Sequence, residues 1–165
     1  MNRVLVLFGA MALLLAGCSG SPTSAVTGFD PSASPSATMQ AIYGARLVSA
    51  EPSDRGEIAV LVVRLASGEP TGTEPFAALA SLVRLYPSKS EYQVSYYLPP
   101  RRYPNADRDL TAYVWRPAHS DLEWTQGEFS GSVGTSTLSG RASSIDTSTL
   151  LSVAAGKRQV PAFGR

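Results

Sequence analysis

Cysteine is nearly missing from this chain of 165 residues, with Cys18 as its only example. No disulfide can form within it, so whatever folds is held by packing alone. Histidine is just as scarce, with His119 alone. A zinc site would need carboxylates to complete it, a rare ligand set. His119 sits in Pro117-Ala118-His119-Ser120-Asp121. Ser, His and Asp adjacent in sequence do not make a catalytic triad, which is defined by geometry, so the segment reads as a polar turn. Lysine is limited to Lys89 and Lys157, and 14 basic side chains stand against 13 acidic ones. Such a balance leaves no electrostatic footprint for nucleic acid. There is no internal repeat, and only one long apolar run.

That run is Val4 to Leu15, broken only by Gly9 and preceded by Arg3. A helix crossing a bilayer takes about 20 residues, so this segment is too short to span. A basic start, a short apolar core and small residues after it match a secretory signal. The segment ends Leu15-Ala16-Gly17-Cys18, which resembles the lipobox of bacterial lipoproteins. The resemblance covers only residues 1 to about 20. It implies that the Cys18 thiol receives a diacylglyceryl group and that a peptidase cuts before Cys18. It also implies that the new amino group is acylated. Two or more chains are needed because one acyl chain anchors only marginally. The expected partner through Cys18 is therefore a membrane, with the mature chain facing the periplasm or exterior. Ser19 stands where the family's inner-membrane retention signal has aspartate, implying the outer membrane if there are two. Loss of Arg3 with the leader leaves thirteen charges of each sign.

The expected organisation is a signal peptide over 1–17 and a lipidated, flexible tether over 18–38. An α+β domain follows over 39–135, then a partly disordered Ser/Gly/Thr-rich segment over 136–165. The tether is assigned on composition, since Ser, Pro, Thr, Ala and Gly cannot bury a core. Residues 41–50 read as a weak strand and 51–56 as a turn rich in Pro, Asp and Gly. Residues 57–66 carry Ile58, Val60, Leu61, Val62, Val63 and Leu65, a strand buried on both faces. A helix starts at Thr73-Glu74-Pro75, with Pro in the first turn. It carries Phe76, Leu79, Leu82, Val83 and Tyr86 as one stripe, leaves Arg84 off it, and stops at Pro87. Glu91 to Leu98 alternates, with Tyr92, Val94, Tyr96 and Leu98 on one face. Leu110 to Arg116 is the next strand. Short strands are expected near 122–124 and 129–133; residues 130–144, almost all Ser, Gly and Thr, read as either an irregular edge strand or disordered, and a helix follows over 146–155 capped by Asp146. Residues 157–165 read as a free tail. The predicted class is α+β, with one main helix on a mostly antiparallel sheet in strand-strand-helix-strand-strand order.

No catalytic constellation emerges. Gly127 to Gly131 lacks the spacing of a nucleophile elbow. Gly131, Gly134 and Gly140 lack the strand-to-helix context of a phosphate loop. Asp107 and Asp109 are too few for a calcium loop; pairing with arginines is the other reading. Glu123 and Glu128 could only nominally form a glycosidase pair. No metal, no cofactor and no enzymatic activity are expected. The richest feature is aromatic. If Tyr97, Tyr113 and Trp115 share the face away from the helix, they form a surface patch with Arg101 and Arg102, of the composition favoured at interfaces. The plainer alternative is cross-strand stabilisation by the same rings. The sequence thus points to an envelope lipoprotein that binds a protein partner or serves as an assembly component. The rival is a glycan- or peptidoglycan-binding module using the same aromatics.

Overall fold

The computed structural model describes residues 30–102, 105–131 and 133–164. The expected leader, Cys18 and the first part of the expected tether lie outside these residues. The elements run α1 (Pro35–Tyr43), β1 (Leu47–Arg55), β2 (Ile58–Leu65), α2 (Glu74–Leu85), β3 (Glu91–Leu98), β4 (Arg108–Arg116), β5 (Asp121–Ser130), β6 (Val133–Ala142) and α3 (Thr147–Ala154). The six strands form one sheet in sequence order. All neighbours are antiparallel except β2 and β3, which are parallel and joined by α2. A parallel pair needs such a crossover, because a tight hairpin cannot return the chain to the same end. This is the α+β arrangement expected, with the helix at 147–154 also in place and one further helix, α1.

The three helices lie on one face. In α2, Phe76, Leu79 and Leu82 are fully buried, and the helix packs on β2 and β3. They join Ala59, Leu61, Val63, Tyr92, Val94, Tyr96, Trp115 and Leu122 in one core. Fully burying a side chain of this size contributes about 1.5–3 kcal/mol, so the stripe explains why α2 docks. Among the described residues no helix is long and apolar enough to cross a membrane.

Several expectations need correction. A helix, α1, occupies residues assigned to the tether and to a weak strand. The Ser34 side chain accepts the Ala37 N–H, Pro35 opens the first turn, and Thr38, Met39 and Tyr43 are buried. Ser-Pro reads as linker by composition, but it is also an N-cap followed by a first-turn proline. Strand β1 then runs through the expected turn to Arg55. It tolerates Pro52 because it is an edge strand, and the turn shrinks to Gly56 at φ +71°. Strand β2 is buried mainly on one face, since Ile58, Val62 and Arg64 are half-exposed.

The C-terminal third is ordered. Strands β5 and β6 pair along nearly their whole length, with a bulge between Gln126 and Gly127. There the Thr135 carbonyl approaches so closely that a Cβ on residue 127 would run into it. Helix α3 has the expected cap, with Asp146 Oδ1 accepting the Thr149 N–H at 2.7 Å. The tail is a strap and not free. Gly164 exchanges two backbone hydrogen bonds with Arg141 at 2.9 and 3.0 Å, while Val160 and Phe163 pack on the core.

Candidate functional site

The three aromatic residues of the expected patch fall on both faces of the sheet. The β3–β4 register sets Tyr92 opposite Trp115 and Val94 opposite Tyr113, so both β4 rings face the helices. Trp115 is 1% exposed and Tyr113 8%. Opposed residues share a face, so Tyr97 points away from them. The patch is thereby corrected: alternation within each strand was legible, but the phase of β4 relative to β3 was not. Trp115 packs on Tyr92, with centroids 5.5 Å apart, and its Nε1 donates to the Ile145 carbonyl at 2.6 Å. Tyr97 meets Phe129 edge-on at 5.0 Å, with the Arg64 guanidinium 6.0 Å from its centroid.

Arg101 and Arg102 belong to a loop organised by Asp109. This buried carboxylate accepts both backbone N–H groups, at 3.1 and 2.8 Å. The Arg102 side chain pairs with Glu69 at 3.0 Å and donates to Thr111 at 3.3 Å; Arg101 is exposed. Asp107 accepts the Gly131 N–H at 2.6 Å. Of the two acids, Asp109 pairs with an arginine side chain, Arg102 Nε at 3.5 Å, while Asp107 binds a backbone amide instead. Glu123 and Glu128 point to opposite sides of β5 and do not form a pair. Among the described residues no three His, Cys, Asp or Glu side chains cluster to hold a metal.

Two surfaces remain. The first is the sheet face opposite the helices. Its register rows run Val62, Ser95, Ala112, Thr125 and Val60, Gln93, Val114, Glu123, Arg141. Val60 and Ala112 are buried but stand apart from the main core; Val62, Leu110 and Val114 are half-exposed. Among the described residues no helix lies over this face. One end is bound by ion pairs: Arg116 to Glu91 at 2.9 Å and to Glu123 at 3.2 Å, and Arg141 to Asp121 at 3.6 Å. Partial burial works to lower the Arg116 pKa, but the Glu123 hydrogen bond and the Glu91 charge hold it above its usual value.

The second is a hollow of about 370 Å³ on the helix side, between the α2 N-terminus and the C-terminal strap. Phe76 and Tyr113 are its buried floor, half-buried Trp124 and Phe163 its walls, and Gln126 its polar side chain. Phe163 stands 6.3 Å from Tyr113 and 6.4 Å from Trp124. Tyr113 continues a row of rings through Tyr96 to Tyr43, spaced 6.2 and 6.1 Å. Burial pushes all three hydroxyls up in pKa, Tyr113 to about 12 with the Glu69 charge as second cause. Sequence reasoning missed this hollow because Val160 and Phe163 were assigned to a free tail. An apolar pair just after a helix-closing glycine was the available signal.

No family model, curated protein or solved structure matches this chain significantly.

Proposed function

We propose that this chain is a lipid-anchored envelope protein that binds a protein partner through the open face of its sheet. The anchor rests on Leu15-Ala16-Gly17-Cys18 and the leader before it. The partner reading is carried by one observation, the apolar centre of a sheet face that no described helix covers. A solvated face of an antiparallel sheet ordinarily alternates to polar residues. Here Val60, Val62, Leu110, Ala112 and Val114 occupy its middle, with Tyr97 and Phe129 beside them. Val62, Leu110 and Val114 are half-exposed there, with ion pairs at one end of the face; apolar ground bordered by charge suits an interaction surface, and an apolar core within a polar rim is the usual anatomy of an interface. The role is binding and assembly; no chemistry is assigned.

The test is photo-crosslinking in the cell of origin. Crosslinkers at Val62 and Val114 should yield one discrete adduct, and a crosslinker at Leu151, exposed on α3, should not. Tyr97→Asp should abolish the adduct while the domain stays folded. Equal labelling from Leu151, or none from the sheet face, overturns the reading. The anchor is tested separately. Cys18→Ser should move the chain out of the detergent phase, because sulfur is the acyl acceptor. A variant that still carries labelled lipid refutes it.

A further inference from the structure

We infer that the aromatic hollow beneath the C-terminal strap is a binding site for a neutral sugar ring. It lies on the opposite side of the sheet from the open face, so it stands or falls independently of the partner reading. The size suits one small ligand, since about 370 Å³ falls within the roughly 300–1,000 Å³ of ligand pockets.

The lining sets the chemistry. Phe76, Tyr113, Trp124 and Phe163 offer flat apolar faces, and Gln126 adds an amide that both donates and accepts, as the Tyr113 hydroxyl also can. Among the described residues no charged side chain lines the hollow. An anion has no counter-charge there. The nearby acids are engaged elsewhere, Glu69 with Arg102 at 3.0 Å and Glu74 with Arg46 at 3.9 Å, so a cation gains little. A pyranose presents C–H faces that stack on rings and hydroxyls that meet an amide. Aromatic side chains with a polar neighbour suit such half-apolar, half-wet partners. The glycan reading of the aromatics thus moves from the expected surface patch to this hollow, retaining Tyr113 and losing Trp115 and Tyr97.

One wall is supplied by the chain's own end. Gly140 permits this, because a Cβ there would stand 3.0 Å from the Gly164 carbonyl oxygen and 3.2 Å from Phe163 Cβ. Both contacts are tighter than ordinary packing, so a side chain at 140 would push the strap, and Phe163 with it, outward by a few tenths of an ångström.

The two tryptophans provide the assay. The full chain in lipid nanodiscs, labelled with ¹⁵N-tryptophan, gives one indole signal from Trp124 in the hollow and one from Trp115 in the core. Two probes are used, a β-linked N-acetylglucosamine tetramer and a β-linked glucose tetramer, to separate acetamido sugars from plain hexoses. A saturable shift of Trp124 with either, with Trp115 unmoved, supports the site. Gln126→Ala, read by the Trp124 signal, should weaken binding about three- to tenfold, and Trp124→Ala, read by calorimetric titration with the same tetramers, about tenfold or more. If Trp124→Ala does not fold, Phe163→Ala takes its place, read by the Trp124 signal with a several-fold loss expected. No saturable shift with either sugar overturns the proposal. So does full affinity in Gln126→Ala and Phe163→Ala together, or a shift caused by decanoate and by neither sugar, which would make the hollow an acyl-chain site.

Discussion

Replacing Trp115 with phenylalanine should destabilise the domain by about 2–4 kcal/mol. The indole Nε1 donates to the Ile145 carbonyl, and Ile145 is only 2% exposed. Phenylalanine leaves that carbonyl without its indole partner, and an unsatisfied buried acceptor costs about 1–3 kcal/mol. The smaller ring also removes two or three methylene-sized groups, each contributing about 0.8 kcal/mol when buried. The measured range for deleting a whole buried Trp side chain, about 3–5 kcal/mol, bounds the sum from above. Urea unfolding followed by Trp124 emission is the assay. With a slope of about 1–3 kcal/mol per molar, the midpoint should fall by about 1 M or more. Exchange protection at the Leu150 and Val153 amides should fall first, because Ile145 leads into α3. A loss of about 0.5 kcal/mol or less, the scale of a surface substitution, would refute the reasoning and return Trp115 to an exposed patch.

Four further outcomes concern the helices. Leu82→Ala should cost about 2–5 kcal/mol, as a fully buried leucine. Arg84→Ala should cost about 0.5 kcal/mol or less in the same melt, since it removes one exposed hydrogen bond to the Ser32 carbonyl. A chain trimmed to begin at Met39 should lose stability relative to one beginning at Asp30, because trimming removes the Ser34 cap and buried Pro35 and Thr38; equal midpoints would show α1 to be dispensable. The backbone N–H of Thr149 holds the Asp146 carboxyl below its ordinary value of 3.8. Its stabilisation of α3 is therefore fully present above that value and is lost as pH falls through the lower folded one. Asp146→Asn keeps a capping side chain and should flatten this acid dependence of α3 amide exchange; an unchanged profile would place the effect elsewhere.

Elements with strong side-chain periodicity were legible in the sequence, and those built on backbone fit were not. The stripe of α2 and the alternation of β3 repeat apolar residues at the spacing of their structure, and both emerged as expected. The cap of α3 was readable because Asp146 and Gly156 bracket an apolar stretch. Helix α1 was hidden because its signals, Ser34 and Pro35, are also the signals of a linker. Strand β6 was legible only as one of two readings, edge strand or disorder, because its Ser, Thr and Gly residues are mostly exposed and carry no alternation. The aromatic site was legible in part. Composition marked the rings, but which of them share a surface depends on how β4 is phased against β3. That phase is set by tertiary packing, with Trp115 driven inward to meet Ile145, a residue 30 positions away.

The bulge at Gly127 has a consequence for β6 that its side chains cannot supply. A strand of small polar residues should slide along its neighbour at little cost, since a shifted pairing buries nothing less than the true one. Gly127 works against this as a keyhole. Only at this position in β5 is there room for the Thr135 carbonyl; two residues along, Thr125 or Phe129 would present a Cβ to the same oxygen. The alignment of the least informative strand is thus fixed by a missing atom on its neighbour. Gly127→Ala should scramble the β5–β6 pattern of amide protection while leaving that of β2–β3 intact.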